Sequence, residues 1–341
     1  MIIDCHAHIT PPPELKIYRE WLIKTAGTEG KGNPEITDNA IEKAMNEISI
    51  APVSHLQGIK DAGIKIQLLS PRPNQMMHSQ KPTEIIKWYT QASNDLVHRY
   101  MRLWPDKFIG IASLPQMAGE PLDEAVIELI RCVNELGFRA CILNPDPYEN
   151  SGLHAPPLWD PYWHPLYSAL CDLDIPCLIH GAGAPSSREY YNHYYIHEES
   201  IAVLAFLCSE ILDIFPDLKV VASHGGGSIP FQIGRYVASE RKLKNREFRE
   251  RLKRIYFDTV LHDPIAVEYL IKVVGPKNCL FGTEWPGLGS IIEQGTTRSM
   301  DNLAPVIKNF DWLSQDDIEA VMWRNAVDLF GMENHLSKTG D

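Results

Sequence analysis

Eight short apolar runs of strand-like composition, most of them separated by amphipathic helical stretches, limit the folds open to this chain more than any other feature. They lie at 2–5, 64–69, 108–114, 139–143, 177–179, 219–222, 254–257 and 278–281. Each is nearly continuous in apolar residues rather than alternating, as strands of a parallel sheet covered on both faces are. Between them Ile85, Tyr89, Leu96, Tyr100 and Leu103 recur at helical spacing, as do Ala125, Leu129, Val133 and Leu136, in a helix opened by Pro121 and closed by Gly137. Asp263 and Pro264 supply a cap and a first-turn proline for a further helix, which Gly275 ends. Over 341 residues this alternation predicts a distorted (β/α)8 TIM-type barrel, with a doubly wound open sheet as the other architecture the pattern allows.

The barrel is expected to fill 1–332 as a single domain, followed by a polar tail over 333–341. An excursion over 11–58, with Pro11 to Pro13 and a glycine-rich TAGTEGKGNP segment, reads as a lid or dimer contact carrying one helix near 41–48. A homodimer or higher homo-oligomer is the corresponding expectation. The net charge of −12 argues against a nucleic-acid groove, since phosphate binding needs a basic face. No apolar run reaches membrane-spanning length, and no basic and apolar leader opens the chain, so a cytoplasmic protein is expected. Seven scattered cysteines without zinc-finger or redox spacing read as reduced thiols.

In a barrel of this kind the active site forms at the carboxyl ends of the strands. The residues expected there are His6 and His8, 70–72, Asn144, His180, His224, Asp258 and Glu284. On a strand, side chains alternate, so His6 and His8 point the same way with Asp4 below them on that side. A bare HxH pair fits a surface pair as well as a metal site. One further strand-end histidine would be an ordinary structural residue, but four converging with a carboxylate point to a metal ion.

The segments DCHAH at 4–8, LIHG at 178–181, ASHGGG at 222–227 and FGTEWP at 281–286 resemble the amidohydrolase superfamily. More narrowly the chain resembles its branch of metal-dependent decarboxylases and hydratases related to aminocarboxymuconate-semialdehyde decarboxylase, and within that branch the hydratases of bacterial protocatechuate and gallate breakdown. The resemblance runs to the closing RNAVDLFG at 324–331. It implies His6, His8 and His180 as metal ligands, Glu284 as the remaining ligand or its close neighbour, and His224 as the residue that moves protons. Such ligands suit one Zn²⁺ per subunit, and Mn²⁺ or Fe²⁺ would also be accepted. The lysine that bridges two metals in binuclear relatives has no counterpart in ACILNP at 140–145, which implies a single ion.

The chain departs from the family pattern at one informative place: the strand-eight acid, commonly aspartate, is Glu284 here. Its extra methylene lets the carboxylate reach past the ion towards water, which suits a general base. The segment 186–197 crowds four tyrosines, two histidines and Arg188 after a metal ligand, so it reads as pocket lining; packing against a neighbouring subunit is the other use for such a loop. Tyr194 or His224 would donate a proton, and Arg72, Arg188 and Arg298, with Asn144 and His78, would receive substrate polar groups. The activity the resemblance implies is hydration of a carbon–carbon double bond in an oxo di- or tricarboxylate, with Glu284 as base. Non-oxidative decarboxylation of an aromatic or muconate-type acid, and lactone hydrolysis, would use the same ligands. A barrel that had lost catalysis would be expected to have lost some of these five positions, and all are present.

Overall fold

A computed structural model describes residues 1–183, 189–190 and 192–333. Eight parallel strands pair in chain order: β1 (Ile3–His8), β2 (Ile66–Ser70), β3 (Phe108–Ala112), β4 (Ala140–Leu143), β5 (Cys177–Ile179), β6 (Val220–Ala222), β7 (Tyr256–Asp258) and β8 (Cys279–Leu280). The seam between β8 and β1 is drawn together where Cys5 N–H donates to Phe281 O at 2.8 Å and Glu284 N–H donates to His6 O at 2.7 Å. The result is a nearly closed (β/α)8 barrel, and each strand lies within a few residues of its expected run.

Helices α1 (Pro13–Thr25), α2 (Asp38–Asn46) and α3 (His55–Asp61) precede β2. The excursion thus carries more helix than the single one expected near 41–48. The triple proline places Pro13 at the first helical position, where its fixed φ and missing N–H suit a helix start, and Leu15, Tyr18 and Leu22 then bury one stripe. α4 (Glu84–Leu103), α5 (Asp123–Asn134), α6 (His164–Leu173), α7 (His193–Cys208), α8 (Ile211–Ile214), α9 (Ile233–Lys244), α10 (Phe248–Leu252) and α11 (Pro264–Val274) follow between the later strands. Asp263 caps α11 by accepting from Ala266 N–H at 2.8 Å, as its position before Pro264 predicts. α12 (Ala304–Lys308), α13 (Gln315–Glu319) and α14 (Asn325–Phe330) complete the described chain. No described helix is long and apolar enough to cross a membrane, and the seven cysteines are free thiols.

Two apolar layers hold this arrangement. Inside the barrel, Ile3, Cys5, Ile66, Leu68, Ile111 and Val221 pack together, and Val327 and Phe330 of α14 close that cluster from below. Outside it, the opposite faces of the strands pack on the helices. The lower barrel is therefore filled with side chains, and the polar residues collect at the other end.

A β-bulge between Asp4 and Ala7 corrects the expected arrangement of β1. Strict alternation would keep Ile3, Cys5 and Ala7 on one face, yet Ile3 and Cys5 join the inner cluster while Ala7 and Ile9 join the outer one. The extra residue reverses the parity, so His6 and His8 follow Cys5 inward and Asp4 is left facing out. Asp4 there accepts from Gln67 Nε2 at 2.9 Å, Thr283 Oγ1 at 2.6 Å and Thr283 N at 3.0 Å. Burial pushes its pKa up to about 6 against the pull of these hydrogen bonds. Gln67 passes the network on to His55, whose Nε2 lies 2.7 Å from Gln67 Oε1.

Gly58 in α3 is where the excursion meets β8. A Cβ there would lie 2.0 Å from the Trp285 ring, whose Nε1–H donates to His55 O at 3.1 Å. Glycine-to-alanine in a helix ordinarily gains about 1 kcal/mol. Overpacking a rigid core costs about 1–3 kcal/mol or more, and an indole fixed at both ends cannot retreat cheaply. Gly58→Ala is therefore expected to lower the melting temperature by a few degrees in a thermal scan; a rise would mean that Trp285 moves freely.

Candidate metal centre and active site

The site is built from the way each imidazole is tied off. His6 Nδ1 donates to Asp258 Oδ2 at 2.7 Å, and His180 Nδ1 donates to Gly181 O at 2.7 Å. His224 Nδ1 donates to both Glu199 oxygens at 2.9 Å. His8 Nδ1 lies 2.8 Å from Ser70 Oγ, which gives its own proton to Ala7 O, so the ring donates here as well. With Nδ1 protonated in all four, the neutral tautomer carries its lone pair on Nε2. These rings face one another with centroids 5.0–5.2 Å apart across the pairs His6–His8, His6–His180, His6–His224, His8–His180 and His180–His224.

Two of those nitrogens, His6 Nε2 and His180 Nε2, are buried with no hydrogen-bond partner in the protein. A buried lone pair left unmatched costs about 1–3 kcal/mol, and a cation between the rings satisfies both. Ligand atoms of His6, His180, His224 and Glu284 all lie within 4.8 Å of one another, and His8 Nε2 stands 4.0 Å from Glu284 Oε1. Imidazole nitrogens and a carboxylate at such separations fit a divalent metal ion.

Electrostatics separate the rings. Burial and the neighbouring imidazoles push His8 and His180 well below the ordinary imidazole range, which keeps their Nε2 atoms unprotonated. At His224 burial also opposes charge, but Glu199 and Glu284 outweigh it and raise the ring above that range. Glu284 would rise through burial, yet the His224 and His262 rings beside it hold it below the usual carboxylate range.

Glu284 and His224 both take left-handed backbone conformations, at φ 60° and 48°, as does His262 at 57°. Non-glycine residues in this region cost about 1–3 kcal/mol each and concentrate at functional sites. His262 places Nε2 3.8 Å from Glu284 Oε2, so the carboxylate stands between two histidines.

The centre opens into a cavity of about 380 Å³ whose lining includes His8, Arg72, Tyr195, His262, Glu284 and Leu288. Arg72 donates to Pro286 O at 3.1 Å from this wall. Other residues expected here lie elsewhere. Tyr194 stacks on Tyr195 at 4.4 Å but is not among the described residues that line the cavity. Asn144 spends its side chain on the backbone of Asp146, and His78 Nδ1 on Gln116 O. Arg298 pairs with Glu293 and lines a separate cavity of about 190 Å³. Arg188 lies outside the described residues. Sequence reasoning missed His262 and Glu199, of which only Glu199 carried a signal, its i, i+4 spacing from Tyr195 on the helix after β5; Asp258 was expected at a strand end without a role, and Tyr195 only as one of the tyrosines of the pocket-lining segment.

The chain has relatives among known proteins. A family model described as Amidohydrolase matches residues 3–332. The chain is 32% identical to a 2-keto-4-carboxy-3-hexenedioate hydratase of Sphingobium over 97% of this chain and 96% of that protein. It is 26% identical to a 2-amino-3-carboxymuconate-6-semialdehyde decarboxylase of Dictyostelium discoideum, over 97% and 92% of the two chains. The crystal structure of a 4-oxalomesaconate hydratase from Rhodopseudomonas palustris superposes with a TM-score of 0.88 at 27% identity, covering 99% of this chain and 98% of that one.

Asp258 supplies the test of this centre. Its Oδ1 accepts from Gly225 N and Val260 N while Oδ2 takes the His6 proton. In Asp258→Asn the carboxamide oxygen can keep the two backbone donors, which turns the NH₂ group towards His6 Nδ1. That favours the tautomer protonated on Nε2, so affinity for Zn²⁺ or Mn²⁺ in a chelator competition is expected to fall about 10–100-fold with the fold intact. Unchanged affinity would exclude His6 from the centre.

Proposed function

The chain belongs to the amidohydrolase family, and we propose that it is a metal-dependent hydratase acting on 4-oxalomesaconate, to give 4-carboxy-4-hydroxy-2-oxoadipate. The observation that carries this reading is Glu284, a carboxylate held between His224 and His262 at the cavity floor, together with the likeness to two hydratases. The setting would be the breakdown of protocatechuate and gallate in the cytoplasm, in a homodimer or larger homo-oligomer.

His6, His8, His180 and Glu284 would hold one ion, with zinc suited and Mn²⁺ or Fe²⁺ acceptable. His8 rather than His224 would complete the set because its Nδ1 faces neutral Ser70, whereas His224 stands between two carboxylates, Glu199 at Nδ1 and Glu284 3.9 Å from Nε2, and so favours carrying a proton. A divalent ion there supplies Lewis acidity, stabilising negative charge on oxygen and making water easier to deprotonate.

The chain's own groups account for the rest. The reacting isomer would be the conjugated one, 2-keto-4-carboxy-3-hexenedioate, which the name of the Sphingobium relative carries; water adds to carbon 4 of its double bond while Glu284 takes one of the water protons. The displaced electron pair passes through carbon 3 to the keto oxygen, giving an enolate. A proton delivered to carbon 3 completes the addition, so that H and OH have been added and nothing is lost. Tyr195, lining the cavity beside His180 at 6.1 Å between rings, is better placed to donate it than Tyr194, and His224 is the other donor. Arg72 and Arg188 would hold carboxylates of a substrate carrying three negative charges. Each positioned acid or base is worth about 10²–10⁴-fold.

Glu284→Gln is expected to retain metal through the histidines and to lose about 10²–10⁴-fold in turnover. Near-normal turnover would exclude Glu284 as the base. Tyr195→Phe is expected to cost more in kcat than Tyr194→Phe, and the reverse order would return the donor role to Tyr194. Incubation with the conjugated isomer of 4-oxalomesaconate, 2-keto-4-carboxy-3-hexenedioate, should remove the enone absorbance without releasing CO₂. Carbon dioxide would favour the decarboxylase alternative that the Dictyostelium relative supports.

A further inference from the structure

α7 carries two pairs of residues at i, i+4 spacing on opposite faces. At about 100° per residue, His193 and His197 share one face, and Tyr195 and Glu199 lie about 200° round from them. The inner pair serves the site already described. The outer pair meets Glu189, which precedes the helix: His197 Nδ1 lies 2.7 Å and His193 Nδ1 3.7 Å from Glu189 Oε1. The two imidazoles are solvent-exposed with ring centroids 5.7 Å apart, and all three ligand atoms fall within 4.8 Å of one another.

We propose that Glu189, His193 and His197 form a second divalent-cation site, separate from the barrel centre. Tetrahedral zinc with bonds near 2.0–2.1 Å places its ligand atoms about 3.3 Å apart, a value that the 2.7 Å and 3.7 Å separations straddle. Two histidines one helical turn apart on one face, joined by a carboxylate, leave the remaining positions to water. Asp146 and Glu198 stand close enough for their charges to influence one another, and Glu189 and His197 act on the same carboxyl, so the surroundings favour a cation. An ion bound here links the chain before α7 to its first turns. The opposite face of those turns presents Tyr195 to the cavity and Glu199 to His224, so occupancy steadies that wall from outside.

Equilibrium dialysis against Zn²⁺ tests this, with bound metal counted in wild type and in the His193→Ala/His197→Ala double variant. The wild type is expected to hold one equivalent more, and its melting temperature in excess Zn²⁺ to rise above that of the variant while the two agree in chelator. Equal equivalents in both proteins would overturn the proposal, leaving the triad an exposed ion pair. The difference is the readout rather than the total, so a failure of the barrel centre to bind metal would lower both counts alike and be told apart. Single Glu189→Gln protein, which keeps both rings, is expected to bind the additional ion more weakly than wild type; unchanged affinity would remove Glu189 from the site.

Discussion

Four buried imidazoles with their rings about 5 Å apart set the terms for the upper half of this barrel. Such rings cannot all be charged, because like charges at that distance in a poorly solvated site repel strongly. Nor can their nitrogens all remain unmatched, since each orphaned group carries its desolvation cost. The structure answers on both sides of every ring. Asp258, Ser70, Gly181 O and Glu199 fix the Nδ1 protons, and the unpartnered Nε2 atoms of His6 and His180 fit a cation between them. The partners then set the rings apart: Ser70 and Gly181 O leave His8 and His180 with lone pairs, whereas His224 stands between two carboxylates, Glu199 and Glu284, and in the proposed reaction would carry a proton.

The bulge in β1 is a condition for that arrangement. Without the parity change, inward Ile3 and Cys5 would commit Ala7 to the barrel and turn both histidines to the helices. Asp4 consequently spends its carboxylate outside, joining β1 to β8 through Thr283 and to α3 through Gln67 and His55. This network holds from behind the segment that turns Glu284 inward, and the same segment places Trp285 on Gly58. The excursion after β1 thus acts on the site through packing against β8, whatever it also does at a subunit surface.

Much of this was legible along the chain, for definite reasons. Strand and helix periods are local properties, and barrel topology converts strand ends into a site, so His6, His8, His180, His224 and Glu284 could be brought together from position alone. What escaped depends on chain segments that meet only in the fold. Asp258 stood among the strand-end residues without a role, because its partner His6 is 252 positions away. His262 lies beyond its strand in a left-handed turn that no periodicity marks. Asn144 and His78 look like pocket polar groups in sequence, yet their hydrogen bonds close on Asp146 and Gln116.

The tyrosine pair shows how finely one helical step decides function. Tyr194 and Tyr195 are adjacent and stacked, so composition cannot rank them, but one residue of helix turns a side chain by about 100°. Tyr195 shares a face with Glu199, four positions on, and Glu199 grips His224 through both oxygens. Tyr195 and the carboxylate that holds the His224 ring therefore share α7, while His224 itself follows β6. In the proposed reaction a proton reaching carbon 3 of the substrate would come from Tyr195 on α7 or from the ring that α7 holds through Glu199. Any influence that shifts the first turns of α7 must then act on donor and carrier together, whereas Glu284, anchored on the β8 side by His6 O, keeps its place as base. The acid and base of the proposed hydration thus rest on different elements, which allows one to be adjusted without displacing the other.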